Sequence, residues 1–209
     1  MDVEIGPLPR GRVRAASLLL ARAFADDGIL THYLAGRRGQ RIAIPAFFSA
    51  VIHEHLATTY AATAGVDLVG VLTCDCPEAP RARLGARIRA RSRLLQVQAL
   101  FPRSSRQLLT GFRSMERLRP SQPHWYLAFA GVEPARQGQG IGEALLRRVL
   151  QQADSDAVLC YLETPFPRTL ALYRRLGFEI LSESRPFKDA RPLFTMIRKP
   201  SAASDALAG

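Results

Sequence analysis

The stretch Val132-Glu133-Pro134-Ala135-Arg136-Gln137-Gly138-Gln139-Gly140-Ile141-Gly142 constrains this chain more than any other. It follows a continuous apolar run, Trp125 to Val132, that reads as a central strand. It opens a segment from Gly140 to Ala153 in which Leu145, Leu146, Val149 and Leu150 recur at helical spacing. A strand that passes into a helix through three closely spaced glycines lets backbone come close to a ligand. The first helical turn adds unpaired N–H groups and the positive end of the helix dipole, which together suit a pyrophosphate. The spacing Gly138-x-Gly140-x-Gly142 is not that of a dinucleotide-binding Gly-x-Gly-x-x-Gly loop, and no Gly-Lys-Ser/Thr follows as a nucleoside-triphosphate loop requires.

The rest of the chain supplies the frame. Val3 to Leu8 reads as a short edge strand, Arg10 to Phe24 and Pro45 to Thr59 as helices, and 60–64 with 68–73 as a hairpin turning at Gly65-Val66-Asp67. Residues 81–119 form a basic helical insert interrupted at Phe101-Pro102. After the central strand and its helix come a strand from Ala157 to Glu163, a helix from Arg168 to Leu176 closed by Gly177, and strands over 178–184 and 193–198. This order predicts an α/β (α+β) mixed sheet with helices on both faces. With 209 residues, 47% of them hydrophobic, one domain over 1–200 is expected, with 201–209 as a flexible tail.

Three cysteines and no apolar segment near the ~18 residues a membrane span needs predict a soluble cytoplasmic protein without membrane contact. Cys74-x-Cys76 has no second ligand pair to complete a zinc site, so no metal is expected. The net charge of +11 resides almost wholly on arginine and favours phosphate-bearing partners. The run Arg81, Arg83, Arg87, Arg89, Arg91, Arg93 can track a nucleic-acid backbone, but it lacks interleaved aromatic side chains, and a solvated helix face is the default reading.

The motif Val132-x-Pro134-x-x-Gln137-Gly138-x-Gly140-x-Gly142 resembles the acetyl-CoA motif of the GNAT N-acetyltransferase superfamily. Five further segments, Pro123-His124-Trp125-Tyr126-Leu127, Tyr161-Leu162-Glu163-Thr164, Pro167-Arg168-Thr169, Tyr173-Arg174-Arg175-Leu176-Gly177-Phe178 and Thr195-Met196-x-Arg198-Lys199-Pro200, are similar to its puromycin N-acetyltransferase branch. The resemblance is close from about Arg119 to Pro200 and thin before that. It implies a GNAT fold, a central mixed but mostly antiparallel sheet of about seven strands, with an acetyl-CoA-binding core over 120–200. It also implies that backbone of Phe129, Ala130, Gly131 and Val132 pairs with the pantetheine arm, and that Gln137, Gly138, Gln139, Gly140, Ile141 and Gly142 hold the pyrophosphate. Thr169 stands where members of this branch commonly carry Asn, and Tyr173 is the implied general acid.

A tyrosine suits that acid role, because a phenol of pKa near 10 keeps its proton at neutral pH and can give it to a departing thiolate. Tyr173 also reads as a core aromatic at helical spacing with Leu170 and Leu176. Glu163 at its strand end is the candidate base, acting through a water, and equally reads as a solvated carboxylate or a partner of Arg168. Neutralising the acceptor at pH 7 costs about 1.4 kcal/mol for an α-amine and about 4.6 kcal/mol for a lysine, so an α-amine is the easier acceptor. Asp26 and Asp27 can attract a cationic acceptor, and Trp125 or Tyr126 can stack on an aromatic one. The expected activity is therefore acetyl transfer from acetyl-CoA to a primary amine of a small molecule, such as an antibiotic or aminonucleoside, in a ternary complex of a monomer or homodimer. The competing readings are a transferase for RNA-borne or protein amines and a CoA-binding sensor without turnover.

Overall fold

A computed structural model describes residues 3–26, 29–34, 39–77, 84–187 and 191–201. Asp27, Arg81, Arg83 and the tail 202–209 lie outside the described residues. Seven strands, β1 (Glu4–Pro7), β2 (Thr59–Ala64), β3 (Asp67–Asp75), β4 (His124–Val132), β5 (Leu159–Thr164), β6 (Glu179–Ser184) and β7 (Leu193–Arg198), form one sheet in the order β1-β2-β3-β4-β5-β7-β6. Every pairing is antiparallel except β4 with β5. Seven α-helices accompany it among the described residues: α1 (Val13–Ala23), α2 (Leu30–Tyr33), α3 (Ile44–Glu54), α4 (Leu84–Leu100), α5 (Pro102–Glu116), α6 (Ile141–Ser155) and α7 (Pro167–Arg175). This is the mixed, mostly antiparallel seven-stranded sheet that the resemblance implied.

The pleat divides the core. Ala61, Val71 and Phe129 face α1, α3 and α5, against Leu19, Leu20, Phe48, Ile52 and Leu108. Their neighbours Ala62, Leu72 and Ala130 face α6, whose Ile141, Leu145, Leu146, Val149, Leu150 and Ala153 form one buried stripe. Proline opens α5 and α7, where its missing N–H costs no hydrogen bond.

Several boundaries differ from the expectation. The helix expected through Thr59 stops at Glu54, and His55 to Thr58 turn tightly so that Thr58 Oγ1 donates to the Cys74 carbonyl at 2.6 Å. The strand expected from Ala157 begins at Leu159, because Ala157 caps α6. Its φ is +53°, and its N–H and that of Val158 return to the carbonyls of Asp154 and Ala153 at 3.1 and 3.0 Å. A left-handed residue in that position is usually glycine. Ala157→Gly should therefore raise stability by about 0.5–1 kcal/mol, read as an upward shift of the thermal midpoint. An unchanged or lower midpoint would show that the strain is already relieved elsewhere.

Three register shifts shape the sheet, one of them at Leu181 in β6. Ala62 pairs with Gly70 and Thr63 with Leu68, so Val69 is an extra residue in β3. Thr73 pairs with Phe129 and Cys74 with Leu127, so Ala128 is an extra residue in β4. A bulge bends its strand and ends regular pairing. The β4–β5 ladder accordingly covers only His124–Leu127 against Leu159–Leu162, while β5 stays paired to β7 as far as Thr164.

Candidate active site

Beyond the Ala128 bulge, β4 and β5 part, and the second half of β4 has no strand neighbour on that side. The gap is the mouth of a cavity of about 570 Å³ lined by Ala128 to Val132 on one wall and Glu163 to Phe166 on the other. Its floor is the turn into α6, with Gln137, Gly138, Gly140, Ile141 and Gly142, and its far wall is α7 with Thr169, Leu172 and Tyr173.

The turn takes its shape from two glycines. Gly138 and Gly140 hold φ of +77° and +79°, where an L side chain is strained, and a Cβ at either would meet open space. The first helical bond of α6 runs from Ala144 N–H to the Gly140 carbonyl at 2.9 Å, so the N–H groups of Ile141, Gly142 and Glu143 precede the ladder. The turn is held from outside: Arg22 of α1 makes two bonds to Glu133, at 2.9 and 2.6 Å, and Gln137 Nε2 donates to the Val132 carbonyl at 3.2 Å. Gly131 serves another purpose, since a Cβ there would come within 2.7 Å of Leu20 and 3.0 Å of Ala23; it lets α1 lie against β4.

Tyr173 is fixed by the end of its helix. Gly177, at φ +87°, allows Gly177 N–H to reach the Arg174 carbonyl and Phe178 N–H to reach the Tyr173 carbonyl, each at 3.0 Å. Phe178 then packs its ring on Tyr173 at 5.9 Å between centroids. Burial pushes the Tyr173 phenol up to about 12. Thr169 also lines the cavity, but its hydroxyl is engaged with Thr164 Oγ1 at 2.9 Å and the Phe166 carbonyl at 2.8 Å, bracing the corner between β5 and α7.

Glu163 and Tyr126 both line the cavity, and the Tyr126 hydroxyl is close enough to act on the carboxylate. Burial raises the Glu163 pKa, while the Tyr126 hydroxyl, the charge of Arg119 and the Tyr161 hydroxyl pull it down. Glu163 Oε1 is buried, and no hydrogen bond of good geometry satisfies it among the described residues. Beside them the wall becomes apolar, with Phe24, Ile29, Leu30, Phe112, Met115 and Leu193.

The other residues singled out in the sequence lie elsewhere. Trp125 points to the opposite face of the sheet, buried against α6, with its indole N–H on Asp156 at 3.0 Å; the alternation along β4 that brings Tyr126 to the cavity takes Trp125 away from it. Asp26 is exposed and Gln139 lines a separate small recess, neither of them on the cavity wall. Burial lifts the Cys160 thiol to about 12, which leaves it inert as a nucleophile at neutral pH. Arg168, read from the sequence as an alternative partner of Glu163, borders the cavity together with Arg136 and Arg175, which were not singled out because no spacing distinguishes them in a chain this rich in arginine. Arg119 was likewise passed over.

Residues 107–180 match the family model described as an acetyltransferase (GNAT) domain. The matched segment runs from within α5 to the start of β6 and contains the glycine turn, Glu163 and Tyr173. Among curated relatives, the N-alpha-acetyltransferase RimI of Mycobacterium tuberculosis is 40% identical over 72 residues, which are 34% of this chain and 46% of that protein. The chain thus spans less than half the length of the curated relatives it matches. A Corynebacterium glutamicum structure described as histone acetyltransferase HPA2 and related acetyltransferase covers 98% of this chain and 99% of its own, with TM-score 0.74 and 22% identity. The PaiA N-acetyltransferase of Thermoplasma acidophilum, solved in complex with coenzyme A, covers 95% and 99% with TM-score 0.57 and 11% identity. These structures share the GNAT fold of this domain. No described helix is long and apolar enough to cross a membrane.

Proposed function

We propose that this protein transfers an acetyl group from acetyl-CoA to a primary α-amine of a small molecule whose adjoining group is apolar or aromatic. The observation that carries this reading is the convergence of the parted β4–β5 edge, the glycine turn into α6, Tyr173 and Glu163 on one cavity. Acetyl-CoA supplies the activated thioester. Backbone of Phe129 to Val132 extends the sheet onto the pantetheine arm, and the N–H groups at the start of α6 take the pyrophosphate, with Arg136 and Arg175 close by. Glu163 takes one proton of the ammonium through a water; the neutral nitrogen then bonds to the thioester carbonyl carbon, and the second proton it sheds as the amide forms passes to solvent water, which returns one to Tyr173. As the C–S bond breaks, Tyr173 gives its proton to the leaving sulfur.

Phe24, Leu30, Phe112 and Met115 seat the apolar part of the acceptor. This agrees with the resemblance to the puromycin-acetylating branch, since puromycin presents an α-amine beside a methoxyphenyl ring. A protein N-terminus is the second reading, favoured by the 72-residue similarity to RimI. An acceptor panel of puromycin, amino-acid amides with apolar and charged side chains, polyamines, aminoacyl-tRNA and short peptides, scored by thiol release from acetyl-CoA, separates them. Turnover with puromycin or an apolar amino-acid amide at least tenfold above the polyamines is expected. Turnover confined to peptides would move the assignment to protein N-termini. Binding of CoA without release on any acceptor would replace the transferase by a sensor.

A further inference from the structure

Three buried polar atoms that no hydrogen bond of good geometry satisfies among the described residues, Arg119 Nε, Tyr161 OH and Glu163 Oε1, belong to one cluster on the acceptor side of β4 and β5. Arg119 follows α5 in the turn that leads into β4, and its Cζ lies 3.8 Å over the Tyr126 ring. Tyr126 pairs with Tyr161 across the parallel ladder, their rings 6.1 Å apart, and Glu163 follows two residues later on the same face of β5. Tyr126 and Glu163 line the cavity, whereas Arg119 does not. The cation therefore stands behind the residues that an acceptor would meet.

We propose that Arg119 is a positioning residue of the acceptor site: its guanidinium clamps the Tyr126 ring by stacking and supplies the positive charge that keeps the neighbouring Glu163 carboxylate ionised in a site with little water. The inference rests on the reading of Glu163 as the base. A carboxylate leaving water needs a nearby opposite charge or it takes up a proton. A cation that paired directly with Glu163 would occupy the oxygen that the acceptor proton needs. Stacked on Tyr126, the guanidinium acts on the carboxylate through its field rather than through a direct ion pair.

Among the described residues, Arg119 is the charged group whose field acts on Glu163. Tyr126 from β4 and Tyr161 from β5 offer neutral hydroxyls, both phenols being raised by burial. Across the β5–β7 ladder Glu163 faces Thr195, which does not titrate in this range. His124, two residues before Tyr126 on β4, packs on the Tyr161 ring at 5.7 Å, and Arg168 and Tyr173 from α7 line the same cavity.

The test compares Arg119→Met, which keeps the length and removes the charge, with Arg119→Lys, which keeps the charge and loses the planar stack. The first readout is a carboxyl ¹³C NMR titration of the ligand-free protein, with the Glu163 signal assigned by its loss in Glu163→Gln. The midpoint should rise in Arg119→Met and stay near wild type in Arg119→Lys. The second is the pH profile of kcat/KM for the acceptor. The carboxylate must be ionised to take a proton, so activity is lost as pH falls through its pKa, and Arg119→Met should move this acid limb upward. At neutral pH its kcat/KM should fall about tenfold with KM for acetyl-CoA unchanged, and Arg119→Lys should recover part of it. A Glu163 midpoint that does not move in Arg119→Met would overturn the proposal. A moved midpoint in a protein whose Glu163→Gln variant turns over normally would instead remove Glu163 as base and leave the pairing intact.

Discussion

Replacing Tyr173 by Phe should lower kcat by about two to three orders of magnitude while leaving affinity for acetyl-CoA within about twofold, as measured by single-turnover thiol release and by calorimetry. The magnitude follows from what the hydroxyl is asked to do. A CoA thiolate is a poor leaving group at neutral pH unless a donor meets it, and the buried Tyr173 phenol, pushed up to about 12, stays protonated over the whole working range. An acid must hold its proton to act, so the wild-type profile should show no basic limb from Tyr173 below about pH 10. The substitution is conservative for the fold. The ring contact with Phe178 and the backbone cap at Gly177 involve no phenolic oxygen, so the thermal midpoint should stay near wild type. A Tyr173→Phe protein with undiminished kcat would assign the thiolate proton to another donor or to solvent.

Tyr173 also illustrates what the sequence could carry. Its position depends on local rules: a proline that opens α7, helical spacing to Leu170 and Leu176, and a glycine that closes the helix immediately before the packing aromatic. Such rules are written in consecutive residues, and the same holds for the turn at Gly138 and Gly140. The strands and both halves of the basic insert were legible for the same reason, within a few residues at each end. What could not be read was set by register and by pairs distant along the chain. The choice between Trp125 and Tyr126 for the cavity turned on which face of β4 looks inward, and both are large aromatics on a run that is apolar throughout. The parting of β4 from β5 depends on one extra residue at Ala128, and alanine gives no sign of a bulge. Arg119 acquires its place only when the turn after α5 brings it over Tyr126 and near Glu163, forty-odd residues further on. The short helix α2 had no periodic pattern long enough to register.

Gly140→Val should weaken CoA binding about 10- to 100-fold by calorimetry and lower the thermal midpoint by a few degrees. Gly140 caps α6 at φ +79°, and a β-branched residue held there costs about 1–3 kcal/mol. The variant has two ways to respond, and both reach the ligand. If the backbone keeps its shape, the branched side chain stands where nothing else in the protein lies within 4 Å, on the approach to the N–H groups of Ile141 to Glu143. If the backbone relaxes to negative φ, the peptide planes rotate and those N–H groups no longer converge on an anion. Gly140→Ala, with a smaller strain and no branch, should fall between Val and wild type. Gly11→Ala, in an open position without positive φ, should change neither quantity. The pattern separates conformation from a general loss of fold, because a merely destabilised protein would bind CoA normally well below its midpoint. Wild-type affinity in Gly140→Val would mean that the pyrophosphate is held by the side chains of Arg136 and Arg175 rather than by the start of α6, and charge removal at those two positions would then carry the loss.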